Sequence, residues 1–474
     1  MTNNGLKDDW ELIVGLEVHV ELGTKTKLFC GCVNQFGDEP NTNVCPVCLG
    51  LPGSLPVVNE KAVIYAMQIG RALNCSVNRS VFARKNYFYP DMPKDYQISQ
   101  YDQPTNMDGY LELPSGVKIG IERAHIEEDT GKTVHVGSTG RISGSDYSLV
   151  DYNRAGVPLI EIVSNPEIRT IEQAKEYVEE LRGILLALKV SDAKMEEGSI
   201  RVDANVSVRK AGEDELRTKC EIKNVNSLRS LGRAIEYEAK RHIDLYENGE
   251  SPSQETRHWD EGDGRTRAGR SKEDAEDYRY FQEPDLVPLN PNSQMIEMID
   301  EELPSFPSER RKQLAALTEM EITEVALIVE RGHDDFASET IHAGATPQTV
   351  IKYLTNNLSD GFGELSPTAF AALIQMEEQA ELTSTQAKKI LGELVEQGGT
   401  PKEIADQSGL QAIDTDELEN LVDQLIASHP EEWERFCGGE KKVQSFFVGE
   451  IMKSTRGQAD GKVINQFLNE RTTN

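Results

Sequence analysis

Residues 15–22 read GLEVHVEL, in which Leu16, Val18, Val20 and Leu22 alternate with Glu17, His19 and Glu21. A period of two marks a strand with one apolar face, because successive side chains point to opposite sides. The same alternation, or a short buried-strand run, recurs at 12–20, 118–122, 158–163, 200–208 and 217–223. Two segments switch to the helical period. TIEQAKEYVEELRGILLALK (170–189) opens on Thr170 with Glu172 in its first turn, and SLRSLGRAIEYEAKRHIDLYE (227–247) has Ser227 at the N-cap position. Few strands are followed by a crossover helix, so this stretch predicts one large α+β unit, mostly antiparallel. After YFQEPDLVPLNPNS (280–293) the composition turns to Ala, Leu, Glu and Thr, punctuated by Ser, Thr and Pro at 304–308, 346–347 and 366–367. That pattern predicts a domain of short helices and, beyond TPKEIADQSGL, a smaller helical tail. The expected division is 1–295, 296–405 and 406–474.

Length and composition agree with this picture. A chain of 474 residues is too long for one core. A hydrophobic fraction of 38% and a mean hydropathy of −0.51 fit a soluble globular protein. There is no apolar run of membrane-spanning length, and MTNNGLKDDW lacks the basic and apolar regions of a secretion signal. Seven cysteines, an odd number in a long chain, argue for a reducing compartment, with the cytoplasm expected. The net charge of −31 argues against a general nucleic-acid binder, since phosphates reward Lys and Arg. The tail differs locally. Residues 440–471 hold six basic and four acidic side chains, which makes Lys441, Lys442, Lys453 and Arg456 candidate contacts to an RNA backbone, against the plainer reading of ordinary solvation.

Candidate chemistry sharpens three places. Cys30, Cys32, Cys45 and Cys48 form C-x-C-x12-C-P-x-C, two close pairs of soft ligands suited to tetrahedral zinc; the alternative is four small core residues. RAHIEEDTGKT (123–133) carries Glu127, Glu128 and Asp129, PLIEIVSNP (158–166) sets Glu161 in an apolar run, and GSIRVDANVSV (198–208) does the same with Asp203 beside Arg201. Carboxylates in apolar strands are costly unless paired or bound to a metal. Together with Glu17 and His19 they suggest a hard divalent cation bridging to phosphate, hence nucleotide chemistry. RKNYFYPDMPKDYQISQYDQP (84–104) reads either as a packed irregular loop or as a ligand-handling surface with Lys85 and Lys94 as its cations. Gly131-Lys132-Thr133 imitates the end of a phosphate-binding loop, but Ile126 stands where that motif needs glycine.

These segments, with SLVDYNRAGVPLIEIVSNP, MEEGSIRVDANVSV, EIKNVNS and DYRYFQEPDL, closely resemble the B subunits of the tRNA-dependent aspartyl/glutamyl amidotransferases. The similarity runs from about residue 10 to VGEIMKSTRGQADGKVINQFL, nearly the whole chain. The resemblance implies a heterotrimer with an amidase, the A subunit, which frees ammonia from glutamine, and a small bracing C subunit. The B subunit would use ATP and Mg²⁺ to phosphorylate the side-chain carboxylate of tRNA wrongly charged with Glu or Asp. Ammonia would then displace phosphate to give Gln-tRNA or Asn-tRNA. It further implies a cradle-shaped catalytic domain, then a helical domain and a tail that holds tRNA. Carried over, His19, Glu128 and Glu161 would be Mg²⁺ ligands, Glu17 and Asp203 a second divalent position, and Lys85, Lys94 and Glu128 the exit of the ammonia tunnel. The cysteines would be the structural zinc knuckle, and Arg201 would face phosphate. On this comparison Glu21 stays an ordinary solvated strand residue. The competing reading, a non-catalytic adaptor that presents tRNA to a partner, leaves Glu161 and Asp203 without a reason to sit in apolar strands.

Overall fold

The computed structural model describes residues 7, 9–137, 145–269, 278–359, 361–410, 415–438, 440–455, 459 and 461–472. The chain forms two compact units, Met1–Glu309 and Arg310–Asn474. In the first, the elements run β1 (Trp10–Glu21), α1 (Glu60–Ala72), β2 (Ser76–Val77), β3 (Ala83–Asn86), β4 (Tyr96–Ser99), β5 (Asn106–Glu112), β6 (Lys118–Glu128), β7 (Lys132–Gly137), β8 (Ser145–Asp151) and β9 (Pro158–Ser164). They continue with α2 (Ile171–Leu188), β10 (Ile200–Lys210), β11 (Cys220–Val225), α3 (Leu228–Glu247), β12 (Thr256–Asp260), β13 (Arg265–Ala268), β14 (Phe281–Gln282) and α4 (Ser293–Glu301).

Among the described residues, nine strands form one sheet in the order β13–β12–β11–β10–β1–β9–β6–β5–β2. Its pairs are antiparallel except β11–β12, which are parallel and joined through α3. This is the α+β, mostly antiparallel architecture that the patterning predicts. β1 sits mid-sheet, and its alternation has the expected result: Leu16, Val18 and Val20 are wholly buried, while Glu17, His19 and Glu21 are half-buried on the other face. The apolar face joins Ile160, Ile162, Val202 and Val206 to the buried stripes of α1, α2 and α3, such as Met67, Tyr177 and Ile235. Burying each such aliphatic side chain contributes about 1.5–3 kcal/mol, so this face fixes how the strands lie. Thr170 Oγ1 accepts from the Gln173 backbone N–H and Ser227 Oγ from that of Ser230, which caps α2 and α3 at the predicted positions.

The polar face of the sheet is left for chemistry. A three-stranded sheet, β14–β3–β4, stands beside it, with β4 in contact with β6. A separate ribbon pairs β7 with β8. Lys132 and Thr133 lie in β7, so the phosphate-loop look-alike is strand rather than a loop entering a helix.

The second unit is helical, from most of α5 (Pro307–Thr318) through α6 (Ile322–Glu330), α7 (Asp334–His342), α8 (Pro347–Asn356), α9 (Pro367–Glu378), α10 (Ser384–Gln397), α11 (Pro401–Ser408), α12 (Thr415–Ser428), α13 (Pro430–Cys437), α14 (Lys441–Ser454) and α15 (Gly461–Thr472). One core gathers Val325, Leu354, Phe370, Leu394 and Ala405, and a smaller one Val422, Phe447, Ile451 and Leu468. No helix among the described residues is long and apolar enough to cross a membrane.

Candidate active site

Strand register assembles the site. β1 pairs with β10 on one side and β9 on the other, and β9 pairs with β6. Arg201, His19, Glu161 and His125 therefore stand in one row across four strands. Asp203, Glu17, Val163 and Arg123 form the next row, and Glu21, Leu159 and Glu127 a third. Same-face neighbours on adjacent strands sit close enough for their side chains to interact. His19 Nε2 lies 3.5 Å from Glu161 and 3.8 Å from Glu127, and His125 Nε2 lies 3.5 Å from Glu161. The donor atoms of His19, Glu127 and Glu161 all fall within 4.8 Å of one another.

One expected member of this group lies elsewhere. Glu128 does not join His19 and Glu161; Glu127 does. Consecutive residues of a strand point to opposite faces, so β6 turns His125 and Glu127 toward the cleft and Glu128 away. There Glu128 is buried, ion-paired with Lys94, and accepts from the Ile98 backbone N–H at 2.8 Å. It lines a small hollow of about 60 Å³ with Lys94, Cys30, Cys48 and Gly156. Lys85 is elsewhere: it lines the main cleft with its ammonium 4.6 Å from the Tyr278 ring centre. The three residues expected together at a tunnel exit are thus divided between two hollows.

The main cleft comprises adjoining hollows of about 660 Å³ and 320 Å³ that share His19, Lys85, Tyr87, Glu127, Glu161 and Lys223. Glu17 and Asp203 are register partners on neighbouring strands, as a joint role requires. Each also has a protein partner, since Asn205 donates to Glu17 at 2.8 Å and Lys223 Nζ lies 2.7 Å from Asp203. Arg201 lines the smaller hollow and donates to Asp129 at 2.8 Å. Glu21 is drawn into this group rather than left to solvent: burial, together with nearby Asp129, pushes its carboxyl up to about 7.

Burial would keep the His19 imidazole neutral, but Glu161, Glu127 and Asp203 outweigh it and raise its pKa to about 9. His125 has no such surplus of carboxylates. Burial lowers it to about 4, and its Nδ1 is buried with no hydrogen-bond partner. Burial, then the charge on Glu161, lifts Glu127 to about 7. Glu161 is opposed by burial as well, yet His125, His19 and Arg123 hold it well below the usual carboxylate range. Two crowded carboxylates and one imidazole, with like charges pushing one carboxyl up, fit a hard divalent cation such as Mg²⁺. Arg123, Lys85, Arg201 and Lys223 around them suit a polyphosphate. Glu127 is one of the carboxylates that the sequence marks out, and strand parity from the His125 position is the signal that selects it. Lys223 and His125 lie within segments noted in the sequence but were not singled out.

The four cysteines come together, their sulfurs within 4.8 Å of one another. The Cys45 backbone N–H donates to Cys48 Sγ at 3.1 Å. Hydrogen bonding from Cys30, and after it from the Cys45 backbone and the charge of Lys27, lowers the Cys48 thiol to about 5 despite burial. This donor set fits a tetrahedral thiophilic metal. In the second unit, Lys442 and Lys453 are exposed on α14 and Lys441 begins that helix, while Arg456 lies outside the described residues.

Residues 12–297 match the family described as the GatB/GatE catalytic domain, and residues 335–471 match the GatB domain. The B subunit of the aspartyl/glutamyl-tRNA(Asn/Gln) amidotransferase from Thermosynechococcus vestitus is 45% identical over 98% of this chain and 96% of its own. Those of the same name from Synechococcus elongatus and Frankia casuarinae are each 46% identical over 98% of this chain, covering 98% and 95% of theirs. The chain belongs to the family of B subunits of the aspartyl/glutamyl-tRNA(Asn/Gln) amidotransferase, a multisubunit glutamine-dependent ligase that acts on tRNA.

Proposed function

We propose that the cleft activates the side-chain carboxylate of Glu or Asp carried by a mismatched tRNA. A carboxylate is a poor acyl donor because its oxygen is a poor leaving group. Transfer of the γ-phosphoryl group of ATP to that oxygen gives an acyl phosphate and ADP. Ammonia then attacks the carbonyl carbon, the C–O bond breaks with its electron pair going to phosphate, and the nitrogen loses a proton to leave the amide. Mg²⁺ held by His19, Glu127 and Glu161 would supply charge neutralisation at the transferring phosphoryl group. Lys85, Arg201 and Lys223 orient the phosphates, and Arg123 helps hold Glu161 ionised. Tyr87, Tyr101, Tyr278 and Tyr280 line the same cleft and offer flat faces to a base. Glu17 and Asp203 border the metal group, with Lys223 as the cation already beside them.

The observation that carries this reading is the meeting of His19, Glu127 and Glu161 in one cation-rimmed cleft. On the same reading Lys94 and Glu128 border the route by which ammonia arrives, and the four cysteines hold a structural zinc. The cations of α14 touch the tRNA backbone, and the enzyme works in the cytoplasm. The test uses the purified heterotrimer with ammonium chloride as nitrogen donor and Glu-tRNA(Gln) as substrate. Glu161→Gln lowers the ATP-dependent conversion by about 100-fold or more. Unchanged conversion would instead favour a protein that only presents tRNA.

A further inference from the structure

Lys27 is wholly buried, one of the largest side chains in the protein to be so. Its ammonium donates to the carbonyls of Asn43 at 2.7 Å and Tyr152 at 3.2 Å. Among the described residues no carboxylate lies within ion-pair distance of it. A buried ammonium satisfied only by carbonyls is costly, and such groups are held in proteins opposite an anion. The four-cysteine cluster adjoins Lys27, as does Glu128, which already has its own ion pair with Lys94. The Lys27 backbone N–H donates to the Cys32 carbonyl at 3.0 Å. Gly156 marks the junction: a Cβ there would lie 3.6 Å from Lys27 Cδ, 3.7 Å from Cys48 Cβ and 3.8 Å from Glu128 Oε2. Four thiolates around a divalent metal carry a net charge of −2, and a fixed cation in the wall of such a centre offsets half of it.

We propose that Lys27 is the built-in counter-charge of a divalent metal–tetrathiolate centre at Cys30, Cys32, Cys45 and Cys48, a positioning residue that holds the metal by charge without touching it. This rests on the reading that the cysteines bind metal. It adds that Lys27 lowers the net charge of the loaded centre from −2 to −1.

The experiment compares wild type, Lys27→Met and Lys27→Arg in the intact heterotrimer. Zinc per complex is measured by elemental analysis, and zinc affinity by competition with a chromogenic chelator. Wild-type complex without zinc overturns the metal reading and the proposal together. With zinc present, Lys27→Met weakens zinc binding by about 10- to 100-fold, the range for groups that support metal ligands, and Lys27→Arg stays within about threefold of wild type. Zinc held by Lys27→Met as tightly as by wild type overturns the counter-charge alone. Melting temperature gives a second readout that a packing role would not move. The difference in melting temperature between wild type and Lys27→Met is larger with zinc bound than after both are stripped; equal differences in the two states overturn the proposal. Should Lys27→Met fail to fold, Lys27→Arg decides: retained zinc supports a role for charge, and loss to the level of a cysteine variant overturns it.

Discussion

Between Glu127 and Glu128 one peptide bond separates two environments, the cation-rimmed cleft and the small hollow that holds Lys94. The neighbours should therefore fail differently. Glu127→Gln removes a group from the proposed phosphoryl-transfer cluster, so amide formation falls by about 100-fold whether ammonium chloride or glutamine supplies nitrogen. Glu128→Gln leaves that cluster intact. Amide formation from ammonium chloride stays within a few-fold of wild type, while the glutamine-driven rate drops; parallel loss of both rates would argue against separate roles. His19 carries a pH signature. Its pKa rises from 6.5 in the unfolded chain to about 9 in the fold. In the metal-free protein its stabilising contribution is complete below pH 6.5 and is lost as pH climbs through 9. Urea unfolding across that window shows the decline in wild type and not in His19→Gln. A divalent ion needs the neutral imidazole, so Mg²⁺ affinity rises between about pH 7 and 9 by up to about tenfold per unit, a trend that isothermal titration would detect.

The central strands are held by their apolar side, and that is where their stability can be probed. Leu16→Ala removes a wholly buried side chain beneath the row of Glu17 and should cost about 2–5 kcal/mol in urea unfolding, whereas Thr170→Ala at the α2 cap should cost about 1 kcal/mol. Elements with a clean period were legible in the sequence: β1, β9 and β10 by alternation or apolar runs, α2 and α3 by helical spacing and their caps. β6 shows where this stops. Its first half, Lys118–Glu122, reads as strand, but it continues through Arg123–Glu128 because His125 and Glu127 belong to the cleft and the polar face no longer looks solvated. β3, β4, β12 and β14 are short and polar, and are strands only because distant partners pair with them. Local propensity carries little of that. The site was legible as a set of residue types; its membership was not. Choosing Glu127 over Glu128 needs the parity of β6 against β9, and finding Lys223 needs β11 placed beside β10. The cysteine cluster, whose spacing is local, was readable without the fold.

At the scale of the whole molecule, a chain of net −31 still carries exposed Lys442 and Lys453 on α14. If these touch tRNA, the double variant Lys442→Glu/Lys453→Glu raises the KM for tRNA, leaves the KM for ATP unchanged, and flattens the dependence of tRNA affinity on salt by roughly 0.7–0.9 for each phosphate no longer neutralised. A matching rise in the KM for ATP would point to misfolding instead. The central place of β1 has a different consequence, one for synthesis. This strand leaves the ribosome before both its partners, β9, ending at Ser164, and β10, ending at Lys210. At elongation speeds of about 5–20 residues per second its second edge stays unpaired for roughly ten to forty seconds, an interval in which an open edge invites aggregation. Stalled nascent chains ending before residue 200 should present GLEVHVEL to proteases and to holding chaperones, and chains extended past residue 250 should not. The strand that carries Glu17 and His19 thus matures only once distant parts of the chain have been made.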